Sequence, residues 1–464
     1  MKISRKTGIS LAILLAGLLS FLAAERLLYG PRAILGAGGT RGGAAFQGEG
    51  LPPYQAFVAL GLGGFRGLLA DVLWMRAARL QDQGRFLEMV QLAHWITQLE
   101  PQFTETWVYH AWNMAYNISV LFADPSDRWR WVQNGLRLLR DEGLRWNAGD
   151  PRMYWEVGWI YQHKIGGPSD SAAPYYRREL ARGMEAILPG GRYRADRLAV
   201  TATVRERLIA EYRLDPRILD IVRRRFGDLD WRIPETHALY WAVCGLAAAG
   251  EKGSLPCERM IYSSMIELFR RGTLVVSPDG ETQLRLPDLD LALSAVRSLE
   301  SAMAPPGRDY LSALHESFLG DAILLSFVFG RHEQADALWQ LRRSRHPNLA
   351  SASTPDEFVR RYATLRMQSV APDEALAMVF ETWAQSYRAT GAGWDEAAAG
   401  YRRWAELLWT GWLSAQRKET RPADPAGALR QIQREALKQV RREVSPAWQT
   451  RLEGVGDHPQ GRLE

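Results

Sequence analysis

Cysteine is almost missing from this chain of 464 residues. The two present, Cys244 and Cys257, are too few for a disulfide framework and lack the C-x-x-C spacing of zinc or redox sites. Long apolar runs are scarce beyond the first thirty residues, and a mean hydropathy of -0.25 excludes a polytopic membrane protein. The eight histidines assemble into no metal-ligand spacing. His315-Glu316 opens like the zinc-protease pattern H-E-x-x-H, but Leu319 stands where the second histidine belongs, so the helix face would offer one ligand instead of two. Phosphate loops, G-x-S-x-G elbows and G-x-G-x-x-G turns after a strand are also missing. Neither a catalytic residue nor a cofactor nor a metal is therefore expected. The chain carries 58 basic against 52 acidic side chains, a net charge of +6, yet no block of five or more Lys/Arg. A surface that tracks phosphates needs clustered charge to release counterions, so nucleic acid is not an expected partner.

What is present begins with an address. Lys2, Arg5 and Lys6 precede an uncharged run from Ile9 to Ala24, and these 16 residues would span about 24 Å as a helix. Adding Leu27, Leu28 and Tyr29 beyond Glu25-Arg26, whose charged heads can snorkel, gives a membrane contact through residues 9–29. Leu22 breaks the small-x-small rule for cleavage after Ala24, which favours an uncleaved signal anchor over residues 1–30. A short basic end is the easier one to leave in the cytoplasm, so the expectation is a single-pass anchor with the body in the periplasm or its equivalent. Residues 31–53 hold seven glycines between Gly36 and Gly50 and close on Pro52-Pro53, the composition of a flexible tether. Phe57 to Met75 is apolar but contains Arg66 and Asp71, and reads as the lead into a first core helix.

From residue 54 to 416 the chain reads as helices separated by short Gly, Pro or Asp breaks. Gly272 to Leu286 is the exception: its β-branched residues and S-P-D-G signal read as an inserted β-hairpin or an irregular loop. Asp124 to Asp127, with Pro125, reads as a loop insertion, and no clean unit stands out between Pro189 and Arg232. Residues 417–464 read as one amphipathic helix, about Pro425 to Val444, followed by a disordered tail from Gly454.

Internal similarity organises the body. Gly84 and Pro101 bracket one second helix, and Gly330 and Pro347 bracket another at the same spacing, with Ala335 and Trp339 at its small and aromatic positions. Tyr154-x2-Val157-Gly158-x2-Tyr161 matches a first-helix pattern in which a small residue lets two helices approach. Trp107-x2-His110-Ala111-x2-Met114 and Trp241-x2-Cys244-Gly245-x2-Ala248 match it more loosely. These features resemble the tetratricopeptide repeat, although Trp107 and Tyr154 stand 47 residues apart and not at a strict period. Gly63 to Trp74 and Leu229 to Ala242 also resemble segments of membrane-anchored bacterial envelope proteins with degenerate repeats of this kind. The resemblance implies an all-α fold, a degenerate TPR-like array of helical hairpins (an α-solenoid) behind an N-terminal transmembrane helix in the bacterial inner membrane.

That register implies a partner-binding groove lined by Asp71, Trp74 and Gln81, by Glu105 and Trp112, and by Arg152, Trp155, Trp159 and Gln162. Trp and Arg are enriched at binding hot spots, and aligned tryptophans could bury a peptide or stack on sugar rings. The same register brings Cys244 and Cys257 near each other, where an oxidising compartment would permit a disulfide. The expected function is a non-catalytic, membrane-tethered scaffold for protein–protein interaction in the cell envelope. The alternatives are a periplasmic glycan-binding or glycan-cleaving helical protein and a structural subunit of a secretion or pilus-like assembly. The oligomeric state is not legible.

Overall fold

Where the helices begin is written in dipeptides. Asp124, Asp150, Asp215 and Asp424 each stand before a proline, and each turns its carboxylate onto a backbone N–H of the first helical turn, at 2.7–2.9 Å. Thr354 does the same before Pro355, accepting from Glu357 N at 3.2 Å. The side chain satisfies an orphan donor, and the proline sits where no N–H is needed. Asp124 to Asp127 is therefore no loop insertion: the residues that suggest a turn are the cap and first turn of the helix Pro125–Arg137.

The computed structural model describes residues 66–193, 202–347, 354–416 and 421–455. The expected anchor, the tether, the start of the apolar stretch from Phe57 and the last nine residues lie outside them. The chain divides into two compact units, Met1–Gly63 and Gly64–Glu464, and all described residues belong to the second. It is mostly helical: α1 Arg66–Asp82, α2 Phe86–Leu99, α3 Thr104–Trp112, α4 Pro125–Arg137, α5 Pro151–Trp159, α6 Ala173–Glu185, α7 Ala202–Tyr212, α8 Pro216–Phe226, α9 Pro234–Ala249, α10 Leu255–Arg271, α11 Ala292–Met303, α12 Ser312–Val328, α13 His332–Arg345, α14 Pro355–Gln368, α15 Pro372–Ala392, α16 Asp395–Ala415, α17 Pro425–Glu443 and α18 Pro446–Glu453. Helices α3, α4 and α5 each widen at their C-terminal end into a π-helical turn, Asn113–Ile118, Leu138–Gly143 and Ile160–Ile165.

Three hairpins turn the same way. Between α1 and α2, Gly84 N donates to Gln81 O and Arg85 N reaches back to Leu80 O. Gly330 and Arg331 repeat both bonds between α12 and α13, and Gly393 and Trp394 repeat them between α15 and α16. The glycines have φ of 69°, 80° and 77°, the left-handed conformation that this helix-ending motif requires. The second helices of the first two hairpins also end alike: Glu100 (φ -124°, ψ 64°) and His346 (φ -131°, ψ 63°) both precede a proline, which disfavours the helical conformation.

Hairpin order is interrupted in the middle. The principal partners of α5 are α9 and then α10, with α6 to α8 intervening in the chain. A Cβ on Gly158 of α5 would lie 3.2 Å from the Ala238 carbonyl, and one on Gly245 of α9 would lie 3.1 Å from that of Pro151, so the two helices run antiparallel at glycine-to-backbone distance. The stretch without a clean unit supplies α7 and α8 and a knot around buried Asp230, whose carboxylate accepts from Arg232 Nε and Nη2 (2.9 and 2.7 Å) and from Leu274 N (3.2 Å).

Gly272 to Leu286 does form a hairpin: β1 Thr273–Val276 pairs antiparallel with β2 Gln283–Leu286, Thr273 facing Leu286. β2 packs on α10 and α15. At the hairpin's tip, Thr282 Oγ1 accepts from Ser445 N at 2.8 Å, tying it to the junction of α17 and α18. One continuous apolar core runs from Trp107 to Leu452, and a smaller cluster of Ala77, Leu80, Met89 and Leu92 lies between α1 and α2. Chain beyond residue 444 thus docks: α18 packs on α15 and buries Trp448 and Leu452, each worth about 1.5–3 kcal/mol on burial. Among the described residues one stretch, Asp309–Val328, is long and apolar enough to cross a membrane, but 61% of it is buried in this core.

Candidate functional site

Three helices wall an open groove of about 560 Å³. α1 contributes Trp74 and Gln81, α3 contributes Glu105, Tyr109 and Trp112, and α5 contributes Arg152, Trp155, Glu156 and Trp159. Asn113 and Asn117, from the π turn that ends α3, complete the polar lining. Of the residues expected there, Trp74, Gln81, Glu105, Trp112, Arg152, Trp155 and Trp159 line this one groove. Two expected members are elsewhere. Asp71, one turn before Trp74, is exposed and outside the groove. Gln162 lies in the π turn Ile160–Ile165, where a helical period carried on from α5 no longer applies. The wider turn swings it to α10, where its Nε2 donates to Ser263 Oγ and Ser264 Oγ, both at 3.2 Å.

The rings stand in stripes along their own helices. Trp112 stacks on Tyr116 at 4.2 Å, Trp155 on Trp159 at 5.4 Å, and Trp159 on His163 at 4.8 Å and 8° between planes. The stripes meet where Tyr116 OH and His163 Nδ1 approach to 3.2 Å. Across the groove Trp74 leans on Tyr109 at 4.8 Å and 58°, and the Tyr109 hydroxyl donates to Gln81 Oε1. Each stack covers one face of a ring, so an occupant meets mostly ring edges, which carry the positive side of the aromatic quadrupole.

Polar groups between the rings are mostly committed. Arg152 Nη1 bonds Glu105 Oε1 at 2.7 Å, and its Nε lies 3.8 Å from Glu156 Oε1. Trp112 Nε1 donates to Glu156 Oε2 at 3.2 Å. Burial raises the Glu156 carboxyl above the usual range, against the pull of Trp112 and Arg152. Asn113 Nδ2 donates to the Tyr109 carbonyl, and Asn117 Nδ2 to Asn113 Oδ1. Trp159 Nε1 is buried and has no hydrogen-bond partner among the described residues. Behind the groove wall His110 is 1% exposed with neither ring nitrogen bonded among the described residues, and burial, helped by His94, lowers its pKa to about 3.

Sequence reasoning missed Tyr109, Asn113, Asn117 and Glu156. The available signal was the four-residue spacing of rings, Trp112 to Tyr116 and Trp155 to Trp159 to His163. The disulfide expectation needs correction: Cys244 and Cys257 are both free thiols. Burial raises both, and Cys257 Sγ instead faces the Pro151 carbonyl at 3.7 Å. The two cysteines serve the approach of α5, α9 and α10, since a Cβ on Gly245 would lie 2.7 Å from Cys257 Sγ. Comparisons with protein-family models and with curated proteins find no match for this chain.

Proposed function

We propose that this chain is a non-catalytic scaffold of TPR-like helical hairpins, tethered to the bacterial inner membrane through residues 9–29 with its body in the periplasm, and that its aromatic groove grips an extended segment of a partner protein. Support for the repeat reading is the pair of matching units, α1 with α2 and α12 with α13, which share both their turn geometry and their pre-proline helix ends. Support for the occupant is one observation: the groove's rings are stacked along their own helices, which turns edges more than faces toward an occupant, beside the side-chain amides of Asn113 and Asn117. Ring edges and amide donors suit backbone carbonyls of an extended peptide, whereas sugar recognition by stacking needs open faces.

The test is a photo-crosslinking side chain at position 112, where the tryptophan is 39% exposed, in cells carrying the full chain. It should capture one protein from intact membranes, and a crosslinker at exposed Trp394, far along the chain on another element, should not. Trp155→Ala with Trp159→Ala should abolish capture while the far-ultraviolet spectrum and melting profile stay helical. Equal capture at both positions, or capture that survives the double substitution, would remove the groove from the function.

A further inference from the structure

A second and larger cleft, about 1080 Å³, opens between α6, α10 and β2 on one side and α15 and α17 on the other. Its first wall carries Arg177, Arg178, Arg271 and Arg285 against Glu235 and Glu267. Arg285 Nη1 bonds Glu235 Oε1 at 3.0 Å, and Arg271 Nη2 bonds Glu267 Oε2 at 2.7 Å. Among the described residues Arg177 forms no ion pair: its Nη1 reaches the Ile165 and Gly166 carbonyls, at 3.5 and 3.3 Å. Burial, and then Arg285 and Arg271, disfavour its charged form, with Glu235 acting the other way. A guanidinium held beside other cations, with the nearby Glu235 already paired to Arg285, is a place where a ligand's oxyanion is stabilised by paired, charge-assisted hydrogen bonds.

The second wall has the opposite sign. Glu381 and Glu443 share Arg388, at 2.6 and 2.7 Å, and Glu281, on the hairpin turn before β2, also lines the cleft. Among the described residues no ion pair crosses from one wall to the other: every pairing named above closes within its own side. Summed over the whole lining, the cleft is near neutral, with five arginines against six carboxylates. A dianion such as phosphate would gain at Arg177 and lose against the facing acids. A molecule carrying one negative and one positive end gains at both.

We infer that this cleft binds the free ends of a short peptide, its carboxylate at Arg177 and Arg285 and its ammonium toward Glu381 and Glu443. The volume suits several residues more than one, since pockets for small ligands run to about 1,000 Å³ at most. This inference uses no residue of the aromatic groove, so either can fail without the other.

The test titrates the full chain in detergent micelles with an equimolar pool of tripeptides bearing free ends, then with the same pool amidated at its C-terminus, the same pool acetylated at its N-terminus, and inorganic phosphate. The free-ended pool should bind, and each blocked pool should bind about tenfold more weakly, as expected for losing a charge-assisted pairing. Phosphate should give no heat. Arg177→Gln should erase the preference for a free carboxylate while leaving affinity for the amidated pool unchanged. Should that variant not fold, Glu381→Gln, on the exposed side of the other wall, should erase the preference for a free ammonium. No heat from the free-ended pool, equal binding of the blocked pools, or tight binding of phosphate would each overturn the assignment.

Discussion

The aromatic groove and the charged cleft are both open, both lined by helices, and built on opposite principles. The groove draws its residues from Trp74 to Trp159 and holds one arginine against two glutamates among many rings. The cleft gathers residues from Gln162 to Val444 and is lined largely by charge. Affinity in the first must come from burying ring edges and satisfying amides. In the second it must come from Coulomb attraction, which water and salt weaken. Because α5 ends between them, with Trp159 facing one and Gln162 the other, a single helix supports two surfaces of different chemistry. The largest expected effect separates them. Trp155→Ala with Trp159→Ala removes two hot-spot side chains, each worth about 2–4 kcal/mol when buried at an interface centre. Partner affinity should fall by roughly 100-fold or more, measured by titration with the captured partner. Binding of free-ended tripeptides in the cleft should stay within twofold of the natural chain, about 0.4 kcal/mol. Loss of both together would mean the two regions are one site.

Acid should break the groove's support first. His110, behind the groove wall, has its pKa lowered by burial to about 3, and His237, stacked on Tyr161 deeper in the core, to about 4 by burial against the pull of its bond to the Trp231 carbonyl. Both values lie below that of an unfolded histidine, so between them and about pH 6.5 the unfolded chain binds more protons than the folded one. Stability is therefore intact above that pH and is lost as the pH falls toward the folded values. A tenfold difference in proton affinity is worth about 1.4 kcal/mol, so a fall to about pH 4.5 should cost about 2–3 kcal/mol through His110 alone. Urea melts at neutral pH and at the acid end of that range measure it. His110→Leu should flatten this slope, and should not weaken the fold at neutral pH, because it also removes two unbonded polar atoms from the core. A slope unchanged by that substitution would show that His110 is not the group that titrates.

How much of this is written in the sequence depends on how local the signal is. Gly84 and Gly330 announce their turns because only a residue free to adopt positive φ ends a helix that way. The third turn of the same kind, at Gly393, is hidden: Trp394 occupies the place of Arg85 and Arg331, so the pattern matches in backbone but not in side chain. Trp74, Trp112, Trp155 and Trp159 follow from the pattern because the α-helical period holds up to residue 112 in α3 and 159 in α5. Gln162 does not, because three helices of this region end in π turns, and no residue type marks a π turn as glycine marks a hairpin. Asp124-Pro125 reads as a loop because the same residues favour turns and helix starts, and only the following Trp129 and Val132, facing inward, decide between them. The cleft is invisible in the sequence, since Arg177, Arg285 and Glu381 share no periodicity and meet only through the fold.

Salt sharpens the contrast by a smaller margin. Raising ionic strength from about 0.1 to about 1 M shortens the screening length from about 10 to about 3 Å. Free-ended tripeptide affinity should drop several-fold across that range, while partner binding in the groove should hold constant or rise slightly as burial strengthens. A steep salt dependence at the groove would assign its affinity to Glu105, Arg152 and Glu156 and not to the rings.

The smallest effect is the one that tests that last assignment directly. Arg152 and Glu105 are each about half exposed at 48%, so their pair is screened and should contribute about 0.2–1 kcal/mol to stability. Arg152→Ala should hardly move the melting temperature. Its consequence lies with Glu156, whose carboxyl burial already raises and which Arg152 helps to keep charged. Without the guanidinium that carboxyl rises further, so its protonation sets in at higher pH than in the natural chain. The protonated form no longer offers a full charge to the Trp112 N–H. The pH dependence of partner binding should therefore set in at higher pH in Arg152→Ala than in the natural chain, with an effect of about twofold, read as affinity against pH. If the two profiles coincide, the groove's polar floor is scaffolding, and the rings alone do the gripping.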